Sequence, residues 1–115
     1  MASVELKHLS KMVKNLQVDD DFAYELKALS KEIKKAIYDY AVVQHPVYGK
    51  IFAYEVDGYG SHLFMDDANI PSLLSLPYLG FIDKNDPLYL RTRAFILGSH
   101  NPYFFKGLYE GVGKQ

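Results

Sequence analysis

A mainly helical fold is what this sequence predicts, on three observations. Two N-terminal stretches repeat apolar residues at helical spacing, cap-then-proline signals open further helices twice, and one Asp-Gly signal marks a single inserted β-hairpin or long loop. From Val4 to Leu16 the apolar positions Leu6, Leu9, Val13 and Leu16 form one stripe, with Lys7, Lys11 and Lys14 off it. The acidic run Asp19-Asp20-Asp21 then supplies N-cap candidates and negative charge at the positive end of a second helix. Its stripe is Phe22, Leu26, Leu29, Ile33, Ile37 and Tyr40. A short loop between two such helices makes an antiparallel hairpin.

The pattern changes after His45-Pro46. Ile51 to Val56 and Tyr59 to Phe64 are β-prone runs on either side of Asp57-Gly58, and Asp-Gly suits a two-residue type I′ turn because both central residues need positive φ. Beyond them Asn69 is placed to cap a helix, Pro71 suits its first turn and Pro77 ends it. Asp86-Pro87 repeats that signal for a helix from Leu88 to Leu97, stopped at Gly98. Residues 101–113, with Asn101-Pro102 and three glycines, read as loop.

Composition narrows the function. The chain has 115 residues, 49% hydrophobic and 23% charged, which is ordinary globular composition at a size of one domain or less. A formal charge of -1 with thinly spread Lys and Arg gives no stripe for a phosphate backbone, so nucleic acid is not an expected partner. No apolar run approaches the roughly 20 residues of a membrane span, and no leader pattern opens the chain. Cysteine is absent, which excludes disulfides and thiolate chemistry. Ten tyrosines and seven phenylalanines suit either a core with polar edges or a surface that grips a ring-shaped polar ligand.

The polar residues that stand out gather within fifteen positions: Glu55, Asp57, Asp66, Asp67 and Asn69, with Tyr54, Tyr59 and His62 among them. Loops carried on a helical frame concentrate binding groups, and a carboxyl pair beside aromatic rings suits a sugar. The plainer reading is that Asp57 makes the turn and that Asp66 or Asp67 caps the next helix with Asn69. Metal readings have less support. His8, His45, His62 and His100 lack zinc-type spacing, and Asp83 to Leu88 lacks the glycine of a calcium loop. No phosphate-loop or nucleophile-elbow pattern occurs.

The runs Tyr54-Glu55-Val56-Asp57-Gly58-Tyr59-Gly60 and Met65-Asp66-Asp67-Ala68-Asn69-Ile70-Pro71-Ser72-Leu73-Leu74-Ser75-Leu76-Pro77-Tyr78-Leu79-Gly80 closely resemble glycoside hydrolase family 125, the metal-independent exo-α-1,6-mannosidases. Asn101-Pro102-Tyr103-Phe104 fits as well, and the likeness runs from Val4 to Gly111. The resemblance implies an (α/α)6 toroid of stacked helical hairpins, removal of terminal α-1,6-linked mannose with inversion, and neither metal nor cofactor. Inversion requires an acid and a base about 6.5 to 9.5 Å apart, so that a water fits between base and sugar. In the family pattern the acid lies in a Ser-Asp-Asp segment ahead of the helix near Val4. The base lies in a His-Glu-Ser segment past the position of Gln115. Neither segment occurs here.

The expectation is therefore one segment, 1–115, from the interior of a larger (α/α)6 catalytic domain, with no catalytic residue of its own and no targeting signal to fix its compartment. Its partners are a mannose-containing glycan and the remainder of the toroid. Asp66, Asp67 and Asn69 match the family's Asp-Asp-Ala-Asn motif and are assigned to mannose binding, because a carboxylate accepts from two neighbouring sugar hydroxyls. Asn69 has the helix cap as an equal alternative. Glu55 and Asp57 either line the same pocket or order the loop, and for Asp57 the turn is the stronger reading. The competing functions are a non-catalytic helical carbohydrate-binding or interaction module, and a truncated reading frame without activity.

Overall fold

A computed structural model describes residues 1–114, and the chain divides into two compact units, Met1–Asp39 and Tyr40–Gln115. The first unit is the expected helical hairpin. Helix α1 spans Ala2–Asn15 and α2 spans Asp20–Tyr40. The Asp19 carboxylate accepts from Phe22 N–H at 2.9 Å, so the first residue of the acidic run is the N-cap and the next two lie in the positive first turn. The link turns back at Gln17, which holds φ 54°.

What the two helices bury against each other differs from the apolar stripes. Ser3, Val4 and Ser10 of α1 and Ala23, Leu26 and Ser30 of α2 are buried, whereas Leu9, Leu16, Phe22 and Leu29 are exposed. The seam is held by serine hydroxyls: Ser10 Oγ donates to Ala23 O at 2.6 Å, and Ser30 Oγ donates to Ser3 O. Small side chains let the helix backbones approach closely enough for those bonds. Periodicity assigned the faces and left open which of them meet.

In the second unit, β1 (Val42–His45) and β2 (Gly49–Phe52) form an antiparallel hairpin with Val43 opposite Ile51. Ile51 and Phe52, expected in the Asp-Gly hairpin, belong to this one. The Asp-Gly signal survives in a smaller form, as β3 (Glu55–Val56) paired with β4 (His62–Leu63). The loop between them is residues 57–61, not a two-residue type I′ turn. Asp57 is not among the residues at positive φ, and its carboxylate instead accepts from Tyr59 N–H and Ser61 N–H at 2.8 and 3.0 Å. A side-chain acceptor closes the turn from Asp57, and the positive φ falls on Gly58 and Gly60, at 78° and 105°.

No helix forms over residues 70–77. The segment runs as turns after a cis Ile70-Pro71 bond. Ser72 and Ser75 bond reciprocally there: Ser72 N–H donates to Ser75 Oγ and Ser75 N–H to Ser72 Oγ, at 2.9 and 3.2 Å. Two prolines six positions apart, Pro71 and Pro77, leave too few amide donors for a continued helix. Helix α3 (Pro87–Ile96) does follow its signal, with Asp86 capping through Leu88 N–H at 2.9 Å. The end of the chain is likewise not a loop throughout: β5 (Phe104–Lys106) and β6 (Glu110–Val112) pair antiparallel.

The core of this unit is Ile51, Phe95 and Ile96, with Tyr48, Phe64, Leu73, Leu74, Leu97 and Val112 packed around them. Each fully buried side chain of this size contributes about 1.5–3 kcal/mol. Thr92, fully buried, joins sheet to helix: Phe52 N–H donates to its Oγ1 at 3.0 Å and that hydroxyl donates to Leu88 O at 2.8 Å.

His45 closes the β1–β2 turn. Its Nδ1 accepts from Val47 N–H and Tyr48 N–H at 3.1 and 3.4 Å, and its ring lies 5.1–5.8 Å from those of Phe64, Tyr48, Phe95 and His100. Burial first, and the neighbouring His100 second, hold its pKa below the ordinary 6.5. A base whose folded pKa is lowered gains its proton more readily unfolded, so its contribution to stability is lost as pH falls below 6.5. Urea unfolding at pH 7.5 and 5.5 is expected to show lower stability at the acid end, with a slope bounded by about 1.4 kcal/mol per pH unit for one proton. His45→Gln is expected to flatten that slope, and an unchanged slope in the variant would assign the acid sensitivity elsewhere.

Candidate functional site

The site centres on the stretch following β4, where the chain passes from Met65 through two carboxylates into the proline-bounded turns. Asp66 has no exposed surface, and both of its carboxylate oxygens are bonded to backbone: Oδ1 accepts from Leu73 N–H at 3.1 Å and Oδ2 from Leu74 N–H at 2.8 Å. This is an anchor that folds residues 67–74 into a loop around one charged side chain. Burial pushes the Asp66 carboxyl up from its ordinary value, against the pull of the bonds from Leu74 and Leu73. Burial wins because no cation offsets it: among the described residues, Asp66 and Asp67 make no ion pair.

Asn101 secures the same point from the opposite side. Its Nδ2 donates to Asp66 O at 2.9 Å and to Ile96 O at 3.0 Å, while its Oδ1 accepts from Asp66 N–H at 3.2 Å and Tyr103 N–H at 3.3 Å. One buried amide thus ties the Asp66 backbone, the end of α3 and the start of the last hairpin. Tyr89 completes the frame, donating its hydroxyl to Leu74 O at 2.8 Å. Gly113 O accepts from Ala68 N–H at 2.9 Å, which brings the end of the chain to the loop.

Asp67 and Asn69 form a second unit on this frame, the aspartate buried at 3% exposure and the asparagine exposed. Asp67 Oδ1 accepts from Asn69 N–H at 3.0 Å and Oδ2 from Asn69 Nδ2 at 2.7 Å. Asn69 therefore orients Asp67 and caps no helix. Asp67 lines a cleft of ≈ 590 Å³ with Ile70, Leu74, Tyr78, Leu97 and Val112, and Tyr78 and Ile70 stand largely exposed at its side. A volume of this size accommodates a small ligand. Tyr54 lies in the same negative field: burial first, then Asp67 and Asp66, raise its phenol above the usual range, so it remains a hydroxyl donor at neutral pH.

Glu55 and Asp57 stand apart from this cleft. They line a separate groove of ≈ 280 Å³ with Ser61 and His62, and the Asp57 carboxyl is held below its ordinary value chiefly by the Tyr59 N–H bond. The five candidate residues thus fall into three settings: a buried anchor, an oriented pair at a cleft and a turn at a second groove. Asn101 and Tyr89 were not singled out as site residues, since the first read as a loop residue before proline, within a run that fits the family, and the second lay inside the helix expected from Leu88 to Leu97. Among the described residues no cluster of His, Asp or Glu is arranged to hold a metal ion, and no helix is long and apolar enough to cross a membrane.

Comparison with known proteins assigns this arrangement to a class. Over 98% of its length the chain superimposes, with a TM-score of 0.91 and 40% sequence identity, on 27% of a Streptococcus pneumoniae protein whose structure is described as a metal-independent alpha mannosidase in a non-productive substrate complex with alpha-1,6-mannobiose. It is 51% identical over 115 residues to the meiotically up-regulated gene 157 protein of Schizosaccharomyces pombe, covering 98% of the chain and 22% of that protein. The chain thus corresponds to a segment of a glycoside hydrolase and spans about a quarter of the proteins it matches. The family model described as metal-independent alpha-mannosidase (GH125) matches residues 1–114, and the chain belongs to that family.

Proposed function

We propose that this chain supplies one wall of the mannose pocket of an exo-acting, inverting α-1,6-mannosidase built as an (α/α)6 toroid, and that the catalytic acid and base come from outside residues 1–115. The observation that carries this reading is the division of labour at Asp66-Asp67: both oxygens of one carboxylate bind backbone N–H groups that fix the loop, while its neighbour, 3% exposed, accepts among the described residues only from the exposed Asn69 and lines a cleft. Asp67 and Asn69 are the sugar-facing pair. A carboxylate accepts strongly from two vicinal hydroxyls, and the Asn69 side-chain amide fixes its direction. Asp66 shapes the pocket by setting the loop.

Adjacent carboxylates of which one is consumed by backbone bonds do not make an acid and a base on opposite faces of a sugar ring. Glu55 and Asp57 order the neighbouring hairpin and border the pocket only in the assembled domain. Calorimetric titration of the 115-residue chain with α-1,6-mannobiose is expected to show weak binding that Asp67→Ala removes, with no mannose released. Binding unchanged in Asp67→Ala would overturn the sugar contact, and metal-independent mannose release would overturn the absence of catalytic groups.

A further inference from the structure

The helical hairpin of the first unit carries a second concave feature, and its chemistry has nothing in common with the loop site. On α1, Lys7, Ser10, Lys11 and Lys14 recur at steps of three and four residues, and on α2, Asp20, Ala23, Tyr24 and Lys27 repeat the same spacing. The two faces oppose each other across a groove of ≈ 540 Å³. Its floor is the Ser10 to Ala23 bond, where small side chains bring the helices close and leave the long lysines standing as walls. The exposed apolar residues Leu9, Leu16, Phe22 and Leu29 fall on the other side of that seam by helical periodicity.

Four lysines line this groove against a single carboxylate, and none of the four makes an ion pair among the described residues. Like charges gathered along a concave low-dielectric surface focus a positive potential, which an anion relieves. The antiparallel register set by Ser10 opposite Ala23 and Ser3 opposite Ser30 puts Lys27 level with Lys7, and Asp20 level with Lys14. The positive field is therefore strongest at the end formed by Lys7, Lys11 and Lys27. Asp20 at the other end opposes an extended acidic chain laid along the groove.

We propose that this groove is a binding site for a compact phosphate-bearing anion, seated on Lys7, Lys11 and Lys27. Lysine presents phosphate with a mobile point charge and three donors, and the groove has the volume of a small-molecule site. The test is titration calorimetry of the 115-residue chain with inorganic pyrophosphate, a sugar bisphosphate and a hexaglutamate peptide. Saturable one-to-one binding of a phosphate ligand is expected, weakening with added salt, and the tighter of the two phosphate probes identifies the source of the phosphate.

Lys11→Gln with Lys27→Gln is expected to lower phosphate affinity at least ~10-fold while the helical circular dichroism stays unchanged, and Lys84→Gln, remote in sequence, is expected to leave it intact. Three results overturn the proposal: no saturable heat at roughly 10 mM pyrophosphate or bisphosphate, equal loss in Lys84→Gln, or tighter binding of hexaglutamate, which assigns the groove to an acidic protein segment. Lys7→Gln is a second variant, expected to weaken binding by itself, which keeps the assignment testable where the double change perturbs folding.

Discussion

Asp66→Asn is expected to destabilise the second unit nearly as much as Asp66→Ala, by about 3 kcal/mol in urea unfolding, although asparagine preserves the size and shape of the side chain. Both carboxylate oxygens accept from backbone, Oδ1 from Leu73 N–H and Oδ2 from Leu74 N–H. An amide replaces one acceptor with a donor, so one of these N–H groups then faces another N–H at a fully buried point. The loss of a charge-assisted bond, about 1.5–3 kcal/mol, adds to the cost of the opposed donors. The burial that raises the Asp66 pKa offsets part of this, because the neutral side chain carries no desolvation penalty. A group with a raised folded pKa stabilises most below its unfolded value of 3.8 and loses that contribution as pH rises through its folded pKa. This is opposite in sign to His45. A stability of Asp66→Asn equal to that of the parent protein would show that the loop is held by something other than the carboxylate.

Asn101→Asp is expected to be the other severe change, again near 3 kcal/mol or more, and for the reverse reason. The amide nitrogen donates to two carbonyl oxygens, those of Asp66 and Ile96. An aspartate there sets a buried negative charge against two acceptors, in a position with 1% exposure. Asn101→Leu removes the charge problem and leaves the Asp66 backbone N–H and C=O without this partner, so it is expected to be the milder variant. The combination of Asn101→Leu with Asp66→Ala is expected to cost less than the two separate losses together, because both act on one loop and its anchor. Strict additivity in that cycle, read from chemical denaturation, would separate the two residues into independent devices. Loss of mannobiose binding in both single variants, with Asp67 untouched, is the functional counterpart.

The expected hairpin at the N-terminus, a cap within Asp19-Asp20-Asp21 and helix α3 with its Asp86-Pro87 start all follow from local chemistry, and the structure forms them, with Asp19 as the cap. The Met65 to Gly80 run also carried the resemblance to the family, and the match over residues 1–114 is that family. The helix expected at Asn69-Ile70-Pro71 did not form, because the amides that a helix start would offer to Asn69 go elsewhere. Leu73 and Leu74 give theirs to Asp66, and Asn69 turns back to Asp67. A carboxylate seven and eight residues away competes with a cap in a way that no sequence window displays. The same holds at the C-terminus, where glycines suggested a loop and pairing of Phe104 with Val112 gives a hairpin.

By itself the sequence determined the three helices that form and the caps of the second and third, since these depend on neighbours three or four positions apart, and an unbroken motif carried the resemblance to the family. Only the tertiary structure decided the use of each polar group. Whether Asp66 holds a backbone or faces a ligand depends on amides brought to it by turns and on an asparagine 35 residues away. That four lysines stand around one groove depends on which faces of two helices meet, and serine hydroxyls settled that choice over the larger apolar side chains. Hydrogen bonds between distant residues are satisfied only after the chain has closed on itself, so their partners are a property of the fold and not of any local stretch.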